Sequence, residues 1–136
     1  MPDAYDMPLP VPTELTRPFW DAAKQHDLRV QRCRPGNHLF MYPREYCPVC
    51  LSDDLEWVSV SGKGRVYTYT VVHRAADPRF QSQVPYVYAV IQLDEGPRLI
   101  SNVVDCDVDD VTIDMPVTVH FDDVTDETTL VKFRPA

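Results

Sequence analysis

The chain has 136 residues and a net charge of −8 at pH 7, which suits one domain or a domain carrying a small module. No apolar run is long enough for a membrane span, and Met1-Pro2-Asp3-Ala4-Tyr5-Asp6 lacks the basic end and apolar stretch of a signal peptide, so the expectation is a cytoplasmic protein with reduced cysteines. Residues 105–136 hold nine acids and two bases, and no basic stripe offsets them elsewhere, which argues against a nucleic-acid partner.

Residues 1–12 are rich in proline and read as extended. A helix is expected across 14–26. Thr13 or Thr16 can cap it, Pro18 fits its first turn, and Leu15, Phe19, Ala22 and Ala23 form an apolar stripe beside Trp20. Such a stripe packs on its own domain or docks on another protein, since little core precedes the cysteines. Leu28 to Arg32 then alternates as a strand ending at Cys33. Leu39 to Tyr42 is its hairpin partner across the turn Pro35-Gly36-Asn37.

Cys47-Pro48-Val49-Cys50 is the tight knuckle that grips one edge of a tetrahedral zinc ion. The opposite knuckle is incomplete. It reads Cys33-Arg34-Pro35-Gly36, with glycine where a fourth sulfur is expected. His38 is the nearby side chain that can replace it, which gives a Cys33, His38, Cys47, Cys50 set. An open site and a metal-free ribbon remain the alternatives. A redox role for the Cys-Pro-x-Cys pair needs a following helix to lower a thiol pKa, and Leu51-Ser52-Asp53-Asp54 leads into a strand pattern instead.

Leu55 to Val60 alternates, Ser61-Gly62-Lys63-Gly64 turns, and Arg65 to Val72 is a long β-rich run. Further strands are expected at 86–93, 98–104, 116–121 and 128–133, separated by Gly96-Pro97 and by acidic stretches at 105–110 and 122–127. Several strands without a long helix imply a sandwich or a small barrel, and a closed barrel removes exposed edges. Tyr67, Tyr69, Tyr86 and Tyr88 alternate on two strands and are expected to form one cross-strand packing face. Cys106 lies among Asp105, Asp107, Asp109 and Asp110, whose charge raises a thiol pKa. The same run lacks the glycine and terminal glutamate of a calcium loop.

The order of these stretches resembles a known family, the zinc-ribbon and OB-fold acyl-CoA-associated proteins long filed as a domain of unknown function. The matching stretches are Phe19-Trp20, Leu28 to Cys33, Pro43-Arg44 before Cys47 to Cys50, Gly62 to His73, Pro85-Tyr86, Ala89 to Gly96 and Asn102-Val103. The resemblance implies a mainly β protein with an N-terminal helix, a rubredoxin-like zinc ribbon and a five-stranded OB-fold barrel. The segments would be 1–27, 28–54 and 55–136. The chain departs from the family pattern at Gly36.

The resemblance also implies a non-catalytic accessory subunit. It would bind a thiolase-superfamily enzyme as a hetero-oligomer and help form the acyl-CoA site, sharing the coenzyme A thioester as ligand. In an OB barrel the loop after the first long strand edges the ligand face, which brings in His73, Arg74 and Arg79. Arg74 and Arg79, with Lys63, Arg65 and Arg98, are candidates to pair with CoA phosphates. A stand-alone acyl-CoA or nucleic-acid binding module is the alternative. An enzyme in its own right is a third reading, for which the sequence offers no nucleophile, base and orienter together.

Overall fold

The computed structural model describes residues 7–136. Of the expected extended run 1–12, residues 1–6 lie outside the described residues, and 8–12 carry neither helix nor strand. Helix α1 (Arg17–Lys24) is shorter at both ends than the expected 14–26. Thr16 stands at its N-cap, but its hydroxyl accepts the Thr13 N–H at 2.9 Å while the Thr16 N–H donates back to Thr13 Oγ1 at 3.2 Å. This reciprocal pair holds 13–16 as a turn, and the helix starts behind it with Pro18 where a missing N–H costs nothing.

At the other end His26 sits at φ 57°. The His26 N–H donates to Ala23 O and the Asp27 N–H to Ala22 O, both at 2.9 Å, closing a Schellman turn. The His26 ring stacks on Phe121 at 5.1 Å and meets the Asp123 carboxylate at 2.9 Å, which fastens the turn to the barrel. Phe19 and Ala23 are buried, but Leu15 lies in the turn before the helix and stays exposed. The packed stripe is therefore narrower than its spacing implied.

Strands β1 (Arg29–Cys33), β2 (Leu39–Phe40) and β3 (Leu55–Ser59) form an antiparallel sheet in the order β2-β1-β3. The sequence reading put β3 at the head of the barrel. It belongs to the ribbon instead, paired along its whole length with β1 from Arg29↔Ser59 to Cys33↔Leu55. Gln31 on β1 is buried, and its amide takes both backbone groups of Arg44. Nε2 donates to Arg44 O at 3.0 Å, and Oε1 accepts from Arg44 N–H at 2.7 Å.

The remaining strands are β4 (Lys63–Val72), β5 (Tyr86–Leu93), β6 (Arg98–Val103), β7 (Pro116–Asp123) and β8 (Thr129–Pro135). They close into a barrel in the order β4-β5-β6-β8-β7, with β7 returning to β4. All neighbours are antiparallel except β6 and β8, which meet in parallel at Val103↔Phe133. This is the five-stranded Greek-key barrel of an OB fold. Its core holds Val66, Val87, Ala89, Ile91, Leu93, Val117 and Phe133, and the same cluster includes Phe19, Leu28 and Val30. Helix, ribbon sheet and barrel thus share one core.

A β-bulge changes the expected tyrosine face. The β4–β5 register runs Val66↔Ile91 and then Thr68↔Val90, so Tyr67 is the extra residue. Side chains alternate strictly along a strand, and one inserted residue reverses which face the rest present. Tyr67 is accordingly exposed, whereas Tyr69 pairs with buried Ala89 and packs on the core. Tyr86 instead meets Phe80 at 6.4 Å, and Tyr88 is exposed. The four rings do not form one packing face.

Gly64 marks where β4 comes closest to its neighbour. A Cβ there would lie 2.4 Å from the Gln92 carbonyl oxygen, a backbone atom that cannot move aside cheaply. Gly64→Ala is expected to cost about 1–3 kcal/mol by forcing the two strands apart. A fall in the urea midpoint measures it, and an unchanged midpoint would contradict the close approach.

Candidate metal centre and an adjoining groove

Cys33 ends β1, and His38 immediately precedes β2. The turn between them is closed by the Asn37 N–H donating to Cys33 O at 2.7 Å and the Cys33 N–H donating to His38 O at 2.9 Å. Cys47 and Cys50 lie on the following loop. There the Leu51 N–H donates to Cys47 O at 2.9 Å and the Cys47 N–H to Ser52 O at 2.8 Å. Both turns aim backbone N–H groups at sulfur: Gly36 N–H at Cys33 Sγ and Val49 N–H at Cys47 Sγ, each at 3.4 Å.

The ligand atoms of Cys33, His38, Cys47 and Cys50 all lie within 4.8 Å of one another. Cys33 Sγ and Cys50 Sγ are 3.3 Å apart, and Cys47 Sγ is 3.5 Å from His38 Nδ1. Sulfurs about 2.3 Å from a tetrahedral zinc stand roughly 3.8 Å from each other, so the set needs only small adjustment to hold one. The incomplete knuckle has a geometric answer. A Cβ built on Gly36 would lie 2.4 Å from His38 Cε1 and 2.6 Å from His38 Nδ1. The imidazole occupies the space that a side chain at residue 36 would need, and glycine is what makes room for it.

The electrostatics agree with that donor set. Burial pushes the Cys47 thiol up. The N–H groups of Cys50 and Val49 and the side chains of Cys50 and His38 outweigh it and hold the thiol down at about 6. At Cys50 the Ser52 N–H pulls downward, but the Cys33 and Cys47 sulfurs and burial prevail and raise the thiol above its ordinary value. Three sulfurs this close cannot all ionise without a compensating cation, and a divalent metal supplies one. Four protein donors leave no open position, which is the arrangement of a structural ion rather than a catalytic one.

The other candidate residues are spread out. Lys63 and Arg65 open β4, and Arg65 and Arg98 flank Gln92 in one row across β4, β5 and β6. Arg98 lies over the Tyr67 ring, 3.7 Å from its centroid, so the bulged tyrosine holds that arginine in place. Arg74 and Arg79 sit beyond the far end of β4, in the connection that contains the 3-10 turn Pro78–Gln83. Arg79 pairs with Asp77 at 2.7 Å, and the Arg79 guanidinium and N–H hold the Asp77 carboxyl at about 2. His73 is exposed in the same connection. The five cations therefore form two groups at opposite ends of the barrel. Burial, and then the charges of Asp110, Asp107 and Asp105, raise the Cys106 thiol.

Sequence reasoning missed a groove. Strands β6 and β8 touch in register only at Val103↔Phe133, and their other ends diverge. Ser101 Oγ spans the gap by donating to Val131 O at 2.8 Å, and the Ile100 N–H donates to Tyr42 Oη at 2.6 Å. The ribbon thus caps a backbone group that has no strand beside it. A cavity of about 320 Å³ follows the seam, lined by Phe19 and Trp20 of α1, Met41 and Tyr42 of the ribbon, and Tyr88, Ile100 and Val131 of the barrel. The signal in the sequence was only the short Met41-Tyr42-Pro43 run after β2, which has no period to read.

Known proteins carry the same two parts in the same order. A family described as the ChsH2 rubredoxin-like zinc ribbon domain matches residues 20–56, and one described as the ChsH2 C-terminal OB-fold domain matches residues 57–122. A DUF35 domain-containing scaffold protein of Methanothermobacter thermautotrophicus is 34% identical over 116 residues, covering 85% of this chain and 86% of that protein. The chain belongs to the ChsH2/DUF35 family. A chain of the Ltp2-ChsH2(DUF35) aldolase superposes with a TM-score of 0.83 at 38% identity, covering 93% of this chain and 98% of that one. A "Probable enoyl-CoA hydratase alpha subunit" of Thermomonospora curvata is 42% identical over 119 residues, and those span 87% of this chain but 37% of that protein. This ChsH2/DUF35 chain contains no described helix long and apolar enough to cross a membrane.

If His38 stands in for a thiolate at residue 36, the two positions are exchangeable as a pair. His38→Ala is expected to weaken zinc binding at least tenfold, measured by competition with a chromogenic chelator. The double substitution Gly36→Cys with His38→Ala is expected to restore it. Native affinity in His38→Ala alone would remove His38 from the ligand set.

Proposed function

We propose that this chain is a non-catalytic accessory subunit that binds a thiolase-superfamily enzyme and helps form its acyl-CoA site. The observation that carries the reading is the near end-to-end likeness to a chain of the Ltp2-ChsH2(DUF35) aldolase, whose name couples a DUF35 protein to a second component. Relatives described as a scaffold protein and as an alpha subunit support the same role. In this reading the nucleophile and the acid-base groups belong to the partner. The partner also sets the reaction: thiolysis, acyl transfer, condensation or retro-aldol cleavage of the thioester.

Zinc bound by Cys33, His38, Cys47 and Cys50 would keep the ribbon folded and take no part in turnover. The groove along the β6–β8 seam offers an apolar wall to an acyl channel. Arg65 and Arg98, set in one row, are the better-placed cations for CoA phosphates: Asp77 holds Arg79 at 2.7 Å, whereas Asp114 stands 3.6 Å from Arg65. The alternative of a free-standing nucleic-acid module is disfavoured by charge, since a chain of net charge −8 repels a phosphate backbone.

The chain purified alone and the chain co-expressed with a thiolase-superfamily protein from the same genome should be assayed on acyl-CoA thioesters. Turnover is expected only from the pair. Full activity from this chain by itself would overturn the accessory reading. Within the pair, Arg65→Gln with Arg98→Gln is expected to raise KM for the thioester several-fold and leave complex formation intact. Arg74→Gln with Arg79→Gln is expected to change KM less. The reverse ranking would move the phosphate contact to the other end of the barrel.

A further inference from the structure

Five non-glycine residues among those described hold a positive φ: His26, Asn37, Leu51, Asp105 and Asp114. Asparagine and aspartate tolerate this region because their short polar side chains bond locally to the backbone. His26 is held there by its contacts with Phe121 and Asp123. Leu51, at φ 64°, has no such reason. Its side chain is 74% exposed and belongs to neither core cluster.

The turn itself requires that backbone conformation. The Leu51 N–H must reach Cys47 O while the Cys47 N–H reaches Ser52 O, and this closes the loop that presents two thiols. Glycine would adopt it without steric cost. Leucine adds backbone strain and an apolar side chain left in water, and the isolated fold gains no burial from either. Strain kept at an exposed position points toward function. Val49 and Tyr46, 68% and 55% exposed, stand on the same loop. Arg44, Glu45 and Asp53 border it, and among the described residues none of the three has an ion-pair partner, whereas Arg34–Asp54 and Arg32–Glu56 are matched. The border thus carries one uncompensated negative charge on a chain of net charge −8.

We propose that Leu51, flanked by Val49 and Tyr46, is a docking knob that seats the ribbon in an apolar, basic-rimmed pocket of the partner subunit. The inference rests on the accessory-subunit reading and names the contact through which that subunit is held. Fully desolvated anchors at the centre of an interface carry a large share of its binding energy; leucine is not the commonest of them, and Tyr46 beside it is of the type that recurs there. The zinc loop is a suitable base, because the backbone bonds and the metal ligands fix where the side chain points.

Two substitutions separate docking from a structural role. Leu51→Gly relieves the strain, and Leu51→Asn keeps the left-handed backbone with a polar side chain. In the full chain, Leu51→Gly is expected to raise Tm by about 2–4 °C, and both variants are expected to keep the native zinc content. Titrated against that same thiolase-superfamily protein, both are expected to raise Kd about tenfold or more. Native Kd in both variants would overturn the knob and leave the accessory reading standing. A lower Tm for Leu51→Gly would also overturn it, by giving the side chain a structural role. Failure of the native chain itself to bind would overturn the accessory reading, and the knob with it.

Discussion

The barrel closes through one parallel contact, Val103 against Phe133, and the parts outside the barrel are arranged around the gap that this leaves. A five-stranded closed sheet is tightly coiled, so two strands that meet at one point must diverge away from it. Divergence leaves backbone groups without a ladder partner, and such groups are costly when buried. Here Ser101 reaches Val131 across the gap, and Tyr42 takes the Ile100 N–H from outside. Phe19 of α1 joins the core that contains Phe133. Helix and ribbon therefore complete the barrel, and the groove between them is the space that this completion leaves unfilled.

The ribbon depends on a different physical source of stability. Its own cluster is small, holding only Cys33, Phe40 and Cys47 as buried members. Val30, Trp57 and Val58 anchor the sheet to the shared core, but the cysteine end has too little apolar area to offset the entropy of ordering two ligand turns. Metal coordination can supply what burial does not. If His38 is a ligand, Gly36 gives the steric reason it can be one: the missing side chain at residue 36 leaves the space that the imidazole occupies.

Legibility in the sequence followed the range of each interaction. Alternation and turn residues are local, so the strands of the barrel and the hairpin around Cys33 were readable, as was the Cys33, His38, Cys47, Cys50 cluster. The partner of β3 was not, because Leu55–Ser59 alternates equally well as a barrel strand or a ribbon strand, and only its pairing with β1 decides. Tyr67 and Tyr69 were misread for a related reason. A bulge is defined by the register of two strands and leaves no mark on either alone. The groove is a product of three elements separated by long stretches of chain, and no window of sequence contains it. Leu51 was visible as a residue, but its backbone angle was not.

The ribbon and the groove are mechanically linked through the stretch between β2 and the second pair of cysteines. His38 fixes the start of that stretch next to the Cys47 sulfur, and the buried Gln31 amide fixes Arg44 near its end through two hydrogen bonds. Met41 and Tyr42 lie between those anchors and form the ribbon's side of the groove. The two anchors bracket Tyr42, whose hydroxyl accepts the Ile100 N–H at 2.6 Å. A metal gripping His38 and Cys47 would therefore restrain one wall of a cavity to which it contributes no ligand. It would act by restricting where the backbone can go, which is how a structural ion can influence ligand access without touching the ligand.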